Sequence, residues 1–294
     1  EIKECDWSSD VCSSDLPDPL KVIDFLPHLE KVARNAGDLA LGFFNPGERT
    51  SADISYKNGG SPVTEADLLV DRFLIQELRR LRPEAAWLSE ESTDSDARLA
   101  NQELIVVDPI DGTTAFARGD ARWAISIAYV LAGQPIAGVI HAPALGETFT
   151  AASGQGAFVN GRRLMASRRN TLANAAIVAP RSMHAALQSM THNFILAPRA
   201  PSLALRLADV AAGRHDLVIA SSNSRDWDIA AADIILREAG YFLSELDQAP
   251  LVYNRSQVTR GMLIAAPAPL FNESRALALA LSQGDPGYDA DVRR

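Results

Sequence analysis

Apolar residues recur at Ile23, Leu26, Leu29, Val32, Ala33, Ala36, Leu39, Ala40 and Phe43, a spacing of three and four that predicts a helix over Val22 to Phe44. Pro27 fits only near the start of that helix or at a kink, and Asn45-Pro46-Gly47 ends it. A short extended piece from Ile54 to Lys57 meets the turn Asn58-Gly59-Gly60-Ser61-Pro62, and a second helix follows from about Thr64 to Leu81. Two short apolar runs, Ala85 to Leu88 and Leu104 to Val107, predict buried strands, and a carboxylate follows each. Closely spaced β runs come next at Ala124–Leu131, Ile136–His141, Thr148–Ala151 and Ala157–Val159, with hairpin turns at Gly133-Gln134 and Asn160-Gly161. The second half alternates. Strands are predicted at Ala176–Ala179, Leu217–Ala220 and Leu263–Ala266, and helices at Leu203–Ala212, Trp227–Ala239 and Leu270–Leu281. The pattern is a mixed α/β body of two layered halves, about 17–165 and 166–283, in one domain.

Composition trims the alternatives. No apolar run of the 294 residues approaches the roughly 18 that a membrane span needs, so no membrane partner is expected. A net charge of −9 without a Lys/Arg block argues against a nucleic-acid polymer as partner. Any site that handles phosphate must then build its own local positive charge. Residues 1–16, EIKECDWSSDVCSSDL, lack both periods and resemble what one reading frame of a sequencing-library adapter encodes, so they are expected to be non-native. They hold both cysteines, Cys5 and Cys12, which leaves the body without disulfides, thiolate metal sites or cysteine nucleophiles. A cysteine-free body of net charge −5, once the segment's −4 is set aside, fits the cytoplasm. The tail 284–294 is expected to fray.

The sharpest chemistry lies in Val106-Val107-Asp108-Pro109-Ile110-Asp111-Gly112-Thr113-Thr114. An apolar strand delivers Asp108, Pro109 stiffens the exit, and Asp111 can face the same side. Gly112 lets backbone approach a ligand, and Thr113-Thr114 can open a helix whose free N–H groups favour an anion. Two carboxylates beside such N–H groups suit a hard divalent cation holding a phosphate, although an Asp pair alone also fits a structural turn. Further acids stand at strand and helix ends: Ser89-Glu90-Glu91-Ser92, Thr64-Glu65-Ala66-Asp67 and Asp226-Trp227-Asp228. Taken singly, Asp67 and Asp228 are favourable charges at helix N-termini, worth a few tenths to about 1 kcal/mol each. Taken together, converging acids call for cations to offset them.

With these motifs, in this order and spacing, the chain resembles the inositol monophosphatase superfamily of magnesium-dependent, lithium-sensitive phosphatases, which includes 3′(2′),5′-bisphosphate nucleotidases. The resemblance spans about Ile23 to Leu281 and implies a layered αβαβα sandwich of the inositol monophosphatase and fructose-1,6-bisphosphatase type, commonly dimeric. The first half then becomes the metal-site half and the second the substrate-pocket half. It implies two or three Mg²⁺ ions per site: Glu90, Asp108 and the Ile110 carbonyl hold one, Asp108, Asp111 and Asp228 a second, and Glu90 faces a third through water. It further implies that the N–H groups of Gly112 and Thr113 take the phosphate, and that Asp67, paired with the Thr113 hydroxyl, helps deprotonate the attacking water. Haloacid-dehalogenase-type phosphatases also place aspartates after a strand, but as D-x-D; here Asp108 and Asp111 make D-x-x-D, and that family gives Glu90 and Trp227-Asp228 no role.

Substrate choice rests on departures from the inositol phosphatase pattern. Where those enzymes place a Glu seven residues before the Trp-Asp aspartate, this chain has Ser221. The Gly-Ser/Thr step that shapes the same pocket is Pro201-Ser202. Pro180-Arg181-Ser182-Met183-His184 is similar to a stretch of the nucleotidases in which Arg and His meet a second phosphate or a base, and Arg181 also fits a solvated surface position. The expected partner is thus a small phosphorylated metabolite, first 3′-phosphoadenosine 5′-phosphate, then inositol 1(or 4)-phosphate, then histidinol phosphate. A catalytically silent relative would lack one of the acids, and all are present. Trp123 and Phe116 are expected to pack, and Arg162-Arg163 and Arg168-Arg169 to be solvated.

Overall fold

The computed structural model describes residues 25–57, 59–190, 192–247 and 249–282. The expectations for 1–16, its two cysteines and the tail from 284 lie outside the described residues.

Helix α1 (Leu26–Leu41) carries Pro27 in its first turn, where no backbone donor is needed, and turns Leu29, Val32, Ala33, Ala36 and Ala40 inward. An antiparallel ribbon of β1 (Ile54–Tyr56) and β2 (Pro62–Thr64) leads into α2 (Glu65–Leu81). Thr64 and Asp67 cap that helix reciprocally, each side chain accepting the other's backbone N–H.

A seven-stranded sheet follows in chain order: β3 (Ala86–Ser89), β4 (Glu103–Asp111), β5 (Ala124–Leu131), β6 (Gln134–Ala142), β7 (Glu147–Ala152), β8 (Gly156–Val159) and β9 (Arg162–Arg163). Only β3 and β4 pair in parallel. β4 is buried on both faces, as its unbroken apolar run implies. Ile105 and Val107 pack with α1 and α2, while Leu104 and Val106 face the opposite core. The register slips between Asp108, opposite Ser126, and Asp111, opposite Ala124. A five-residue helix, α3 (Thr113–Ala117), closes the exit of β4, and Gly112 before it has φ of 94°, a left-handed conformation that glycine adopts without strain. Phe116 and Trp123 pack edge to face beneath it, fully buried.

The second half builds a five-stranded sheet from β10 (Ala176–Val178), β11 (Ile195–Leu196), β12 (Leu217–Ala220), β13 (Tyr241–Glu245) and β14 (Leu263–Pro267), in spatial order β11-β10-β12-β14-β13. Helices α5 (Leu203–Ala211) and α6 (Asp226–Glu238) lie between the two sheets, in one core with Val106 and Phe149 on one side and Val218 and Leu263 on the other. Helices α4 (His184–Ser189) and α7 (Phe271–Ser282) cover the outer face through Leu187, Leu277, Ile219 and Ile264. The result is the five-layer αβαβα sandwich. α6 is apolar nearly all round because it is buried on two sides, and each fully buried Ile or Leu there contributes about 1.5–3 kcal/mol. Its approach to β6 requires Gly138: a Cβ there would come within 2.5 Å of Ile234 Cγ2 and 2.9 Å of the Ala231 carbonyl. β13 and the short α4 and β11 have no counterpart in the predicted pattern. Their segments are two to six residues long and are fixed by pairing and packing rather than by their own periodicity. No helix among the described residues is long and apolar enough to cross a membrane.

Candidate active site

Three carboxylates from two elements converge where the layers meet. Oxygen atoms of Asp108 and Asp111, at the end of β4, and of Asp228, in the first turn of α6, all lie within 4.8 Å of one another. Each carboxylate is held. The Ile110 N–H donates to Asp108 Oδ1 at 3.1 Å, and the Arg225 N–H to Asp228 Oδ2 at 2.7 Å. Asp111 faces the start of α5, where the Ser202 hydroxyl (2.5 Å) and the Ala204 N–H (2.6 Å) both donate to its Oδ2.

Burial pushes the pKa of all three up, and mutual repulsion adds to it for Asp108, which also feels Glu90, and for Asp228, which feels Asp111. No ion pair to these three exists among the described residues. A cluster of buried acids lifted by its own charge, offering only hard oxygen donors, fits a divalent cation such as Mg²⁺.

Two further acids flank the cluster. Glu90 stands on the bend after β3, where Lys57 Nζ pairs with Glu90 Oε1 and Glu91 Oε1, each at 2.8 Å. Burial alone would lower Lys57, but those two carboxylates outweigh it and raise it. Burial lifts Glu91 to about 7 against the opposing effect of Lys57. Asp67, almost fully buried, accepts from the Thr64 N–H and hydroxyl on one oxygen and from the Thr113 hydroxyl at 3.1 Å on the other. Burial raises it to about 6, with the Thr64 and Thr113 bonds opposing. The Thr113 hydroxyl also lies 3.1 Å from the Ile110 carbonyl.

A cleft of about 220 Å³ opens beside the trio, lined among others by Asp111, Asp228, Arg199, Arg206 and the run Ser221 to Ser224. Arg199 is exposed, whereas Arg206 is buried on α5 and donates from Nε to the Ser202 carbonyl at 3.2 Å. Burial and the charge of Arg199 lower Arg206 to about 10, against the pull of Asp111 and Asp228.

This chain matches the profile of the "Inositol monophosphatase family" over residues 23–279. The chain belongs to that family. It is 35% identical over 240 residues to an inositol-1-monophosphatase of Mesorhizobium japonicum, covering 76% of this chain and 90% of the relative. It is 31% identical over 251 residues to the 3′(2′),5′-bisphosphate nucleotidase CysQ of Aggregatibacter actinomycetemcomitans, covering 81% and 91%. Among solved structures, an IMPase of Thermotoga maritima superposes with a TM-score of 0.76 at 28% identity, over 88% of this chain and 98% of that one. As a member of the inositol monophosphatase family the protein is a metal-dependent phosphoric monoester hydrolase acting on small phosphorylated substrates.

Of the residues singled out by sequence, Asp108, Asp111 and Asp228 come together, Glu90 stands near enough to repel Asp108, and Asp67 meets Thr113. Ser221 lines the cleft. Two expectations for the pocket change. Ser202 is fully buried and works as the N-cap of α5 and a donor to Asp111 rather than as pocket lining. Arg181 sits exposed in a short 3₁₀ turn and does not line the cleft, because that turn belongs to the outer layer with Met183 and Leu187. The cations of the cleft are Arg199 and Arg206 instead. The sequence signal for Arg206 was weak: LALRLADVA carries two charged residues, Arg206 and Asp209, and nothing but its place four positions after Ser202 sets Arg206 apart.

Proposed function

We propose that this hydrolase is a Mg²⁺-dependent, Li⁺-sensitive 3′(2′),5′-bisphosphate nucleotidase acting on 3′-phosphoadenosine 5′-phosphate. The observation that carries the substrate is the Arg199–Arg206 pole of the cleft, set beside the acid cluster. A substrate with a single phosphate would set its charge against the cations that the acids would hold, whereas one with two phosphates has an anion left for the guanidiniums. Ser221 supports the same reading, since a carboxylate at that place would repel a second phosphate.

Glu90, Asp108 and the Ile110 carbonyl would hold one Mg²⁺, and Asp108, Asp111 and Asp228 a second, with Glu90 facing a third. When bound, such ions neutralise phosphate oxygens and lower the pKa of water. The chain supplies the rest. The N–H groups of Gly112 and Thr113 orient the phosphate, and the Thr113 hydroxyl hands the proton of the attacking water towards Asp67. With its pKa near 6, Asp67 is largely ionised at neutral pH and able to accept it. The reading includes a homodimer of this chain, supported by the family resemblance, and a cytoplasmic site of action, supported by a body without cysteines.

A second reading, hydrolysis of inositol 1-phosphate, is favoured by the higher identity to the inositol-1-monophosphatase relative. Phosphate release in Mg²⁺, with and without Li⁺, separates them when 3′-phosphoadenosine 5′-phosphate, inositol 1-phosphate and histidinol phosphate are run in parallel. Mg²⁺-dependent preference for the nucleotide is expected, and preference for inositol phosphate would overturn the choice.

A further inference from the structure

α2 presents two buried acids one turn apart, Asp67 and Asp71. The first already has a task at Thr113. The second touches none of the cleft residues, yet both of its oxygens are used. The Ser89 hydroxyl donates to Asp71 Oδ1 at 2.6 Å, and the Ser92 hydroxyl to Oδ2 at 2.8 Å. Those two serines bracket Glu90 and Glu91, so one carboxylate grips both ends of a four-residue bend. The bend is tightened from within by the Glu91 N–H, which donates to Ser89 Oγ at 3.3 Å, and it is tied to β4 by the Glu90 N–H reaching the Val107 carbonyl at 3.4 Å. α2 therefore works as a ruler. Its two acids fix, at a separation of one helical turn, the loop after Asp111 and the bend that carries Glu90.

We propose that Asp71 is a positioning residue that clamps the Ser89–Glu90–Glu91–Ser92 bend and so sets the affinity of the Glu90 carboxylate for a divalent cation. The inference rests on the reading of Glu90 as a metal ligand given above. The physical ground is general: groups that orient a metal's ligands through hydrogen bonds govern affinity nearly as strongly as the ligands do. A role in folding alone would lower the melting temperature and leave the cation affinity of the folded protein where it was.

The test is Mn²⁺ binding to the full chain, followed by electron paramagnetic resonance without substrate, alongside thermal melts. Asp71→Ala is expected to weaken Mn²⁺ binding about tenfold. In a Ser89→Ala/Ser92→Ala background the same substitution should change affinity by less than about twofold, because the clamp is already gone. Wild-type affinity in Asp71→Ala, or an undiminished effect of Asp71→Ala in the serine-free background, would overturn the clamp. If Asp71→Ala does not fold, Asp71→Asn, which keeps the volume and one acceptor, takes its place with a weakening of about threefold or more expected and wild-type affinity again overturning it. Asp108→Asn separates the two levels of the argument. If it binds Mn²⁺ as the wild type does, or if the wild type binds none, the metal-site reading fails and takes the clamp with it.

Discussion

Replacing Arg206 by Met would test the substrate reading most directly. The guanidinium is buried, lines the cleft, and makes one side-chain hydrogen bond among the described residues, from Nε to the Ser202 carbonyl at 3.2 Å. Its terminal nitrogens are thus available to an anion. A hydrogen bond to a charged group is worth about 1.5–3 kcal/mol, which corresponds to about a 10- to 150-fold change in kcat/KM. Methionine keeps the length of the aliphatic stem and removes the charge. Arg206 also feels Asp111 and Asp228, so its loss disturbs the acid cluster as well, but that disturbance is common to every substrate. The informative quantity is therefore a ratio. The kcat/KM for 3′-phosphoadenosine 5′-phosphate relative to inositol 1-phosphate should fall by about 10-fold or more, measured by phosphate release at saturating Mg²⁺. The melting temperature should not fall, because removing a buried cation that lacks a salt bridge relieves its desolvation cost. An equal loss for both substrates would refute the assignment of Arg206 to a second phosphate.

Other outcomes follow from the same geometry. Asp108→Asn should cut turnover by more than about 10²-fold while raising the melting temperature of the metal-free protein, since it removes a charge from a buried, self-repelling cluster; near-normal activity would contradict the site. Asp67 near 6 and Glu91 near 7 hold protons in the folded state that the unfolded chain has released, so the stability of the metal-free protein should fall as pH rises from about 4 to 7. Melts across that window check the sign, and Mg²⁺ should raise the melting temperature more at pH 8 than at pH 5. Ser221→Glu should move the substrate ratio towards inositol phosphate, by introducing a carboxylate that binds hydroxyls and repels a second phosphate.

How much of this was legible without coordinates depends on what fixed each element. The strand that leads into Asp108 and the helix that carries Asp228 in its first turn are written in apolar runs of ordinary length, and the acids at those ends stand out as charge where packing alone would not place it. Arg206 was hidden because a helix pattern assigns a lone Arg to the solvated face, and only the second sheet, packed on the other side of α5, turns that face inward. Arg181 misled for the converse reason: its local sequence is similar to a binding stretch, but its layer lies away from the cleft. The Asp71 clamp joins residues 18 and 21 positions apart through two hydroxyls, and no period in the sequence marks such a pairing.

The slip in register between β4 and β5 explains the spacing of the two aspartates. Along a regular strand, Asp108 and a residue two positions on share a face, whereas Asp111 would project to the other. Here two residues, Pro109 and Ile110, stand against the single Ile125, one more than a regular ladder allows. Ile110 accordingly joins Ile105 and Val107 on the α1–α2 side, a change of parity from the even-numbered Leu104 and Val106. The extra residue returns Asp111 to the side of Asp108. D-x-x-D in this chain therefore does geometrically what D-x-D does on an unbroken strand, and the additional x is the bulge itself, counted in sequence. Deleting either Pro109 or Ile110 would remove the bulge and leave D-x-D with both acids still on one face, whereas straightening the strand with both residues in place would send the acids to opposite faces of the sheet.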